Sequence, residues 1–255
     1  MRQFVITPAA GKRIIARAVV KHPAVTGALE KGLVVVIAGT TGGYIAEELL
    51  TQSGQADGFS RQRFFRGVTL RPGMKTTASG RLVDESAFPG DVVLKNGVWQ
   101  KGKMIFDIID ELDEGDVIIK GVNCIRLPER QAGILIGHPS GGTIAASLGA
   151  VIGRRVKLIL AAGLEKRVYE DINHIAELLN MPGASGPRML PVPGELITEI
   201  DALKILFGVD VTLVAGGGIG GAEGCVWLAV QGDELQLENV KRLMDETGDE
   251  EPFSL

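Results

Sequence analysis

The chain has 255 residues, the size of one large domain or two small ones. Apolar residues supply 45% of it and charged residues 23%, enough for a sizeable core, which excludes intrinsic disorder as the main state. Asp plus Glu (31) outnumber Lys plus Arg (27), so no basic excess exists to hold a nucleic-acid backbone.

Met1 to Thr7 is a short apolar run that meets Pro8 and a basic helix, without the form of a signal peptide. Gly11 to His22 carries Ile14, Ile15, Ala18 and Val19 at helical spacing. Leu33 to Ala38 is a continuous β-branched run, which predicts a strand buried on both faces. Gly39-Thr40-Thr41-Gly42-Gly43 breaks it, and Tyr44 to Gln52 reads as a helix. From Gln55 to Lys103 the texture turns polar and rich in Gly, Arg and Thr. This predicts a small β-rich insertion or lobe over 55–103, within a single α/β domain spanning 1–255. Inside it, Asp91–Leu94 and Val98–Gln100 flank Lys95-Asn96-Gly97 and predict a β-hairpin, since Asn-Gly supplies the positive φ angles of a tight turn.

Lys103 to Leu112 predicts a helix, Asp116 to Lys120 a strand, Gly121 to Gln131 a loop, and Ala132 to Ile136 another buried strand. A His-Pro-Ser-Gly-Gly loop leads into a helix from Thr143. Arg155 to Ala161 is a strand, Glu165 to Leu179 a helix, and the Pro- and Gly-rich stretch up to Gly194 a loop. Glu195 to Phe207 reads as helical. Asp210 to Ala215 and Cys225 to Gln231 are strands on either side of a loop with five glycines between Gly216 and Gly221. Leu237 to Met244 is a short helix, and the acidic tail from Asp245 is expected to fray. Strands alternating with helices predict an α/β fold: three layers, a mainly parallel sheet, helices on both faces. Such sheets take ligands at the carboxyl ends of their strands, where the glycine loops are expected. Gln131 to Gly153 is uncharged and long enough to span a bilayer, but His138-Pro139-Ser140-Gly141-Gly142 would expose backbone there, so no membrane span is expected.

Glycine contributes 35 residues, roughly twice the ~7% of an average protein, and so calls for tight loops. The most informative pattern is an internal echo. Thr41-Gly42-Gly43-Tyr44-Ile45-Ala46 with Leu49 matches Ser140-Gly141-Gly142-Thr143-Ile144-Ala145 with Leu148. Each copy follows an apolar run and opens a predicted helix, with a hydroxyl before two glycines. Free backbone N–H groups, a hydroxyl and the positive end of a helix dipole suit an anion. The other reading is a pair of ordinary strand-to-helix turns. Gly216, Gly218 and Gly221 spell G-x-G-x-x-G, but a strand-like run follows instead of a helix, so a site-lining loop or a tight crossover is preferred to dinucleotide binding.

Candidate catalytic residues are Lys120 at a strand end, His138 in the second glycine loop and Glu223 in the third. Candidate ligand-binding residues are Gly39, Thr40, Thr41, Gly42 and Gly43, then Asn123, then Ser140, Gly141, Gly142 and Thr143, then Gly217 and Gly218. Glu165 and Glu195 are further carboxylates; Glu195 reads as a helix-start residue. The basic clusters Lys12-Arg13 and Arg61 to Arg66 read as solvated surface. Three scattered histidines and the unpaired Cys124 and Cys225 point to no metal site, no disulfide and a cytoplasmic protein. No G-x-S-x-G elbow supports a hydrolase triad.

With its preceding helix, Leu33 to Leu50 resembles the superfamily of ribose-5-phosphate isomerase, glucosamine-6-phosphate deaminase and the CoA-transferases. Those proteins place a short Gly/Ser/Thr loop after their first strand, as in Gly39 to Gly43. Asp116 to Ile125 is similar to a strand-and-loop segment of sugar-phosphate-sensing members. The acidic cluster of the isomerases is absent, with Asn123 where a carboxylate would stand. The expected function is therefore binding of a small phosphorylated or carboxylated metabolite, of sugar-phosphate or CoA-ester type, with isomerase- or transferase-type chemistry as its extension. The alternatives are a non-catalytic ligand sensor on the same fold and a nucleotide-binding Rossmann-type protein. No cofactor is called for. The expected partner is a small-molecule anion, with neither nucleic acid nor membrane, and apolar helix faces are candidates for a homo-oligomer interface.

Overall fold

The computed structural model describes residues 1–66, 69–70, 73–74, 77 and 88–253. Its centre is a six-stranded sheet. Four strands run parallel: β2 (Leu33–Val36), β5 (Val117–Gly121), β8 (Lys157–Ala161) and β10 (Glu195–Ile197), in spatial order β10-β8-β5-β2. The hairpin of β3 (Val92–Lys95) and β4 (Val98–Trp99) adds antiparallel to β2 and closes that edge. The chain is thus mixed α/β, with a mostly parallel central sheet. All four residues of β2 are buried, as its unbroken Leu-Val-Val-Val run requires of a strand covered on both faces. Asn96 takes positive φ in the hairpin turn, the backbone its Asn-Gly pair predicts. Of the β-rich segment expected over 55–103, residues 67–68, 71–72, 75–76 and 78–87 lie outside the described residues.

Two smaller antiparallel sheets flank the centre. One joins β1 (Arg2–Ile6), β12 (Val226–Gln231) and β11 (Asp210–Gly216), with β12 in the middle. The other joins β6 (Cys124–Arg126), β7 (Gln131–Ile136) and β9 (Arg188–Pro191), with β7 in the middle. The strand expected at Ala132–Ile136 therefore exists but pairs antiparallel, outside the central sheet. Its partners β6 and β9 fall in segments expected to be loops. They are three and four residues long, too short for apolar alternation to show.

Helix α1 (Pro8–Val19) starts where chemistry prescribes. Thr7 Oγ1 accepts the Ala10 N–H at 3.1 Å and Pro8 occupies the first turn. Its buried face, Ile14, Ile15, Ala18 and Val19, lies in the main core. After α2 (Pro23–Glu30) and β2, helix α3 (Thr40–Gln52) begins four residues before its expected start at Tyr44. Most of the first glycine loop is thus its opening turn. Gly42 permits this closeness: a Cβ there would sit 2.6 Å from the Ile37 carbonyl oxygen. Helix α4 (Ile105–Ile108) and a following 3-10 turn cover the next predicted helix, and α5 (Gly142–Gly153) follows β7.

Three expectations need correction. Glu195–Phe207 is not one helix. Glu195–Ile197 pairs parallel with β8, and only α7 (Glu199–Phe207) is helical. Thr198 and Asp201 form a capping box that starts the helix there, so Glu195 is a strand residue and not a helix-start charge. Glu165–Leu179 shrinks to α6 (Ile172–Asn180), whose N-cap Asp171 accepts the Asn173 and His174 N–H groups. The acidic tail does not fray. Helix α8 (Glu234–Thr247) places Glu246 on Arg17 at 2.5 Å, and Glu250 beyond it reaches Arg13 at 2.8 Å. No helix among the described residues is long and apolar enough to cross a membrane.

Candidate functional site

The segments that follow β2, β5 and β8 all border one cavity at the carboxyl edge of the sheet, the edge where parallel sheets of ligand-binding proteins take their ligands. β2 leads to Gly39–Thr41 and α3. β5 ends in Lys120 and Gly121. β8 leads to a 3-10 turn, Leu164–Lys166. From outside the central sheet, β7 leads through His138 and Ser140 into α5. Together they line a cavity of about 1190 Å³. Its polar wall carries Arg66, Lys120, Lys166, Thr41 and Thr143, and its apolar wall includes Phe65, Phe106 and Phe253.

Three cationic side chains therefore meet in one cavity. Arg66 Nη2 lies 3.1 and 3.2 Å from the two carboxylate oxygens of Asp91. Asp91 is buried and also accepts the Ala38 and Ile105 N–H groups, each at 3.0 Å. Arg66 Nε and Nη1 are buried with no hydrogen-bond partner among the described residues. Lys120 Nζ donates to Thr143 Oγ1 at 3.0 Å. Burial pulls the Lys120 pKa down to about 8; Asp91 opposes this and Arg66 reinforces it. Lys166 Nζ donates to the Val122 carbonyl at 2.8 Å, and burial lowers its pKa too, against the pull of Glu165.

The first glycine loop supplies a second kind of unmet group. Thr41 is 1% exposed, lines the cavity, and its Oγ1 has no hydrogen-bond partner among the described residues. It sits at the second position of α3, near the positive end of a thirteen-residue helix. Gly39 and Thr40 line the cavity beside it. Gly42 and Gly43 do not; they are buried, against the Ile37 carbonyl and Arg61. In the second loop Ser140, Gly141, Gly142 and Thr143 all line the cavity. Gly141 (φ 78) and Gly142 (φ 62) occupy left-handed backbone, which glycine adopts without strain. His138 also lines the cavity, with Nδ1 accepting the Ser140 N–H at 3.1 Å. Asn123 lines it as well, but its Oδ1 accepts the Leu135 N–H at 2.9 Å and so ties the β5–β6 connection to β7.

The third glycine loop stands apart. Gly216–Gly221 connects the antiparallel strands β11 and β12, so G-x-G-x-x-G here opens no helix. Gly217 and Glu223 line a separate pocket of about 250 Å³, with Glu165, Arg167 and Cys225. Gly218 lines neither pocket; a Cβ there would lie 2.6 Å from that of Ala222. Glu199 is 1% exposed and accepts the Leu164 N–H at 2.9 Å. Burial, with Glu165 beside it, pushes its pKa up to about 8. Lys12 lies 3.5 Å from Glu165.

Of the two basic clusters read as solvated surface, Arg63 is exposed, while Arg13, Arg61 and Arg66 turn inward. Arg13 and Arg61 bind Glu47 and Glu250, and both stack on the Tyr44 ring, at 4.9 and 4.6 Å. The Tyr44 hydroxyl donates to the Glu251 carbonyl at 2.9 Å. This lattice holds residues 250–253 in place, and Phe253 packs edge-on against Phe65 at 4.9 Å to complete the apolar wall. Lys166 and Phe253 are cavity residues that sequence reading missed. Lys166 lies in a stretch read as helix, and Phe253 in a tail read as frayed. The one legible signal was the acidic tail itself, whose charge complements Arg13 and Arg17.

No group of His, Cys, Asp and Glu side chains among the described residues could hold a metal ion. No protein-family model and no curated protein matches the sequence.

Proposed function

We propose that the larger cavity binds a small phosphorylated or carboxylated metabolite, of sugar-phosphate or CoA-ester type. Residues Gly39–Thr41 and Ser140–Thr143 would hold its anionic group. The observation that carries this reading is unspent hydrogen-bonding capacity: Arg66 and Thr41 both line the cavity, and Arg66 Nε and Nη1 and Thr41 Oγ1 are buried without a partner among the described residues. Each unmet buried group costs about 1–3 kcal/mol, which an arriving anion would offset. Lys120 and Lys166 add charge, with Asp91 set against Lys120 and Arg66, and Glu165 set against Lys166. Isomerase- or transferase-type chemistry would draw on Lys120 and His138, both on the cavity; Glu223 faces the smaller pocket and takes no part. This reading goes with a three-layer arrangement, helices on both faces of the central sheet, and with kinship to the ribose-5-phosphate isomerase superfamily. Both rest on the unit from β2 into α3.

Isothermal titration with inorganic phosphate, ribose 5-phosphate and acetyl-CoA tests it. One of the three should bind with one site per chain, and Lys166→Met should weaken it about tenfold, or ~1.4 kcal/mol. Absence of binding by all three, or equal affinity in Lys166→Met and Thr41→Val, sinks the reading.

A further inference from the structure

Lys120 differs from the other cations of the cavity in how little holds it. Its Nζ has a single hydrogen-bond partner among the described residues, the Thr143 hydroxyl, and no carboxylate lies within ion-pair distance of it there. Asp91, the nearest acid in effect, is occupied by Arg66 and by the Ala38 and Ile105 N–H groups. Lys166, by contrast, is anchored on the Val122 carbonyl and faces Glu165 and Glu199. An ammonium has no lone pair; an amine needs one to attack carbon. Burial and Arg66 together loosen the Lys120 proton against the pull of Asp91, and leave a substantial share of free amine just above neutral pH. The cations beside it would hold the anionic end of a substrate within reach.

We propose that Lys120 Nζ is a nucleophile that condenses with the carbonyl of an anionic aldehyde or ketone, a 2-oxo acid or a phosphorylated sugar in its open form, to give an imine. The nitrogen lone pair attacks the carbonyl carbon, and the carbonyl π pair moves to oxygen, which takes a proton. The resulting carbinolamine loses water: its C–O bond breaks, the nitrogen releases its remaining proton, and C=N forms. Amine and carbonyl give imine and water, with no change of oxidation state and no co-reactant. Thr143 is a positioning residue that orients Nζ through its hydroxyl. The proposal rests on the cavity being an anion site.

The test is reductive trapping. The full chain is incubated separately with glyoxylate, pyruvate, glyceraldehyde 3-phosphate and the uncharged acetaldehyde, each with cyanoborohydride at mildly alkaline pH. Adducts are located by intact mass and peptide mapping. At least one anionic probe should modify Lys120 about tenfold faster than the exposed Lys101 or Lys241. That adduct should vanish in Lys120→Arg and be slowed by excess inorganic phosphate. Modification of Lys120 no faster than of the exposed lysines overturns the nucleophile; if phosphate still binds in titration, the anion site survives that failure. Acetaldehyde labelling Lys120 as fast as the anionic probes do, with no protection by phosphate, overturns the substrate class.

Discussion

The two copies of the hydroxyl-Gly-Gly pattern spell nearly the same word and use it differently. At the first, the hydroxyl of Thr41 lies inside α3, buried, and the glycines behind it serve packing against Ile37 and Arg61. At the second, Ser140 is exposed before α5 begins, and the glycines serve backbone conformation, both left-handed. One loop therefore offers the cavity an enclosed, unmet hydroxyl. The other offers open backbone and a threonine already joined to Lys120. The lesson is that a glycine can be demanded by the space beside it or by its own φ angle, and only the fold tells which.

The sharpest way to break this contrast is at the packing glycines. Gly42→Ala places a Cβ against the Ile37 carbonyl and should cost about 1–3 kcal/mol by chemical denaturation. Gly39→Ala meets nothing within 4 Å and has extended backbone (φ 170), so it should stay within ~0.5 kcal/mol of the parent. Equal costs would erase the distinction between the two glycines.

A second comparison sets the hydroxyls against each other. Thr41→Val removes a buried group with no partner among the described residues, so the ligand-free protein should gain about 1 kcal/mol while phosphate affinity falls. Opposite signs in one variant separate a waiting site group from a structural one. Ser140→Ala, at an exposed position, should leave stability within ~0.5 kcal/mol. A stability loss in Thr41→Val would mean that its hydroxyl is already satisfied.

The smallest effect is protonic. The Lys120 pKa stands at about 8, below its ordinary 10.5, and an anion beside it favours the charged form. Binding must then raise the pKa, so phosphate binding near pH 8 should take up a fraction of a proton. Titration heats compared in buffers of different ionisation enthalpy measure it, and Lys120→Met should abolish it. Thr41 has no proton to exchange, so Thr41→Val should leave the uptake intact.

Much of the scaffold was legible because its information is local. The β-branched runs of β2 and β5, the Asn-Gly hairpin and the Thr7-Pro8 helix start each contain their own reason. What escaped was decided at a distance. β10 is three residues long and is a strand because β8 lies beside it. Arg66 looked like surface charge until Asp91, 25 positions on, met it in the interior. Both copies of the echo border the same cavity. The echo could not tell which of their residues face inward, because Thr41 and Ser140 hold different places relative to their helices.

The docking of residues 250–253 also orders events in time. Arg13 and Glu250 are 237 positions apart, and β1 must wait for β12 to pair. Contacts of such sequence separation form late, because the loop they close is 237 positions long. On the ribosome, β2, β5 and β8 can be made and packed before Phe253 exists. The cavity is thus born with one side open, and its apolar wall is exposed to chaperones or to aggregation until residues 250–253 arrive.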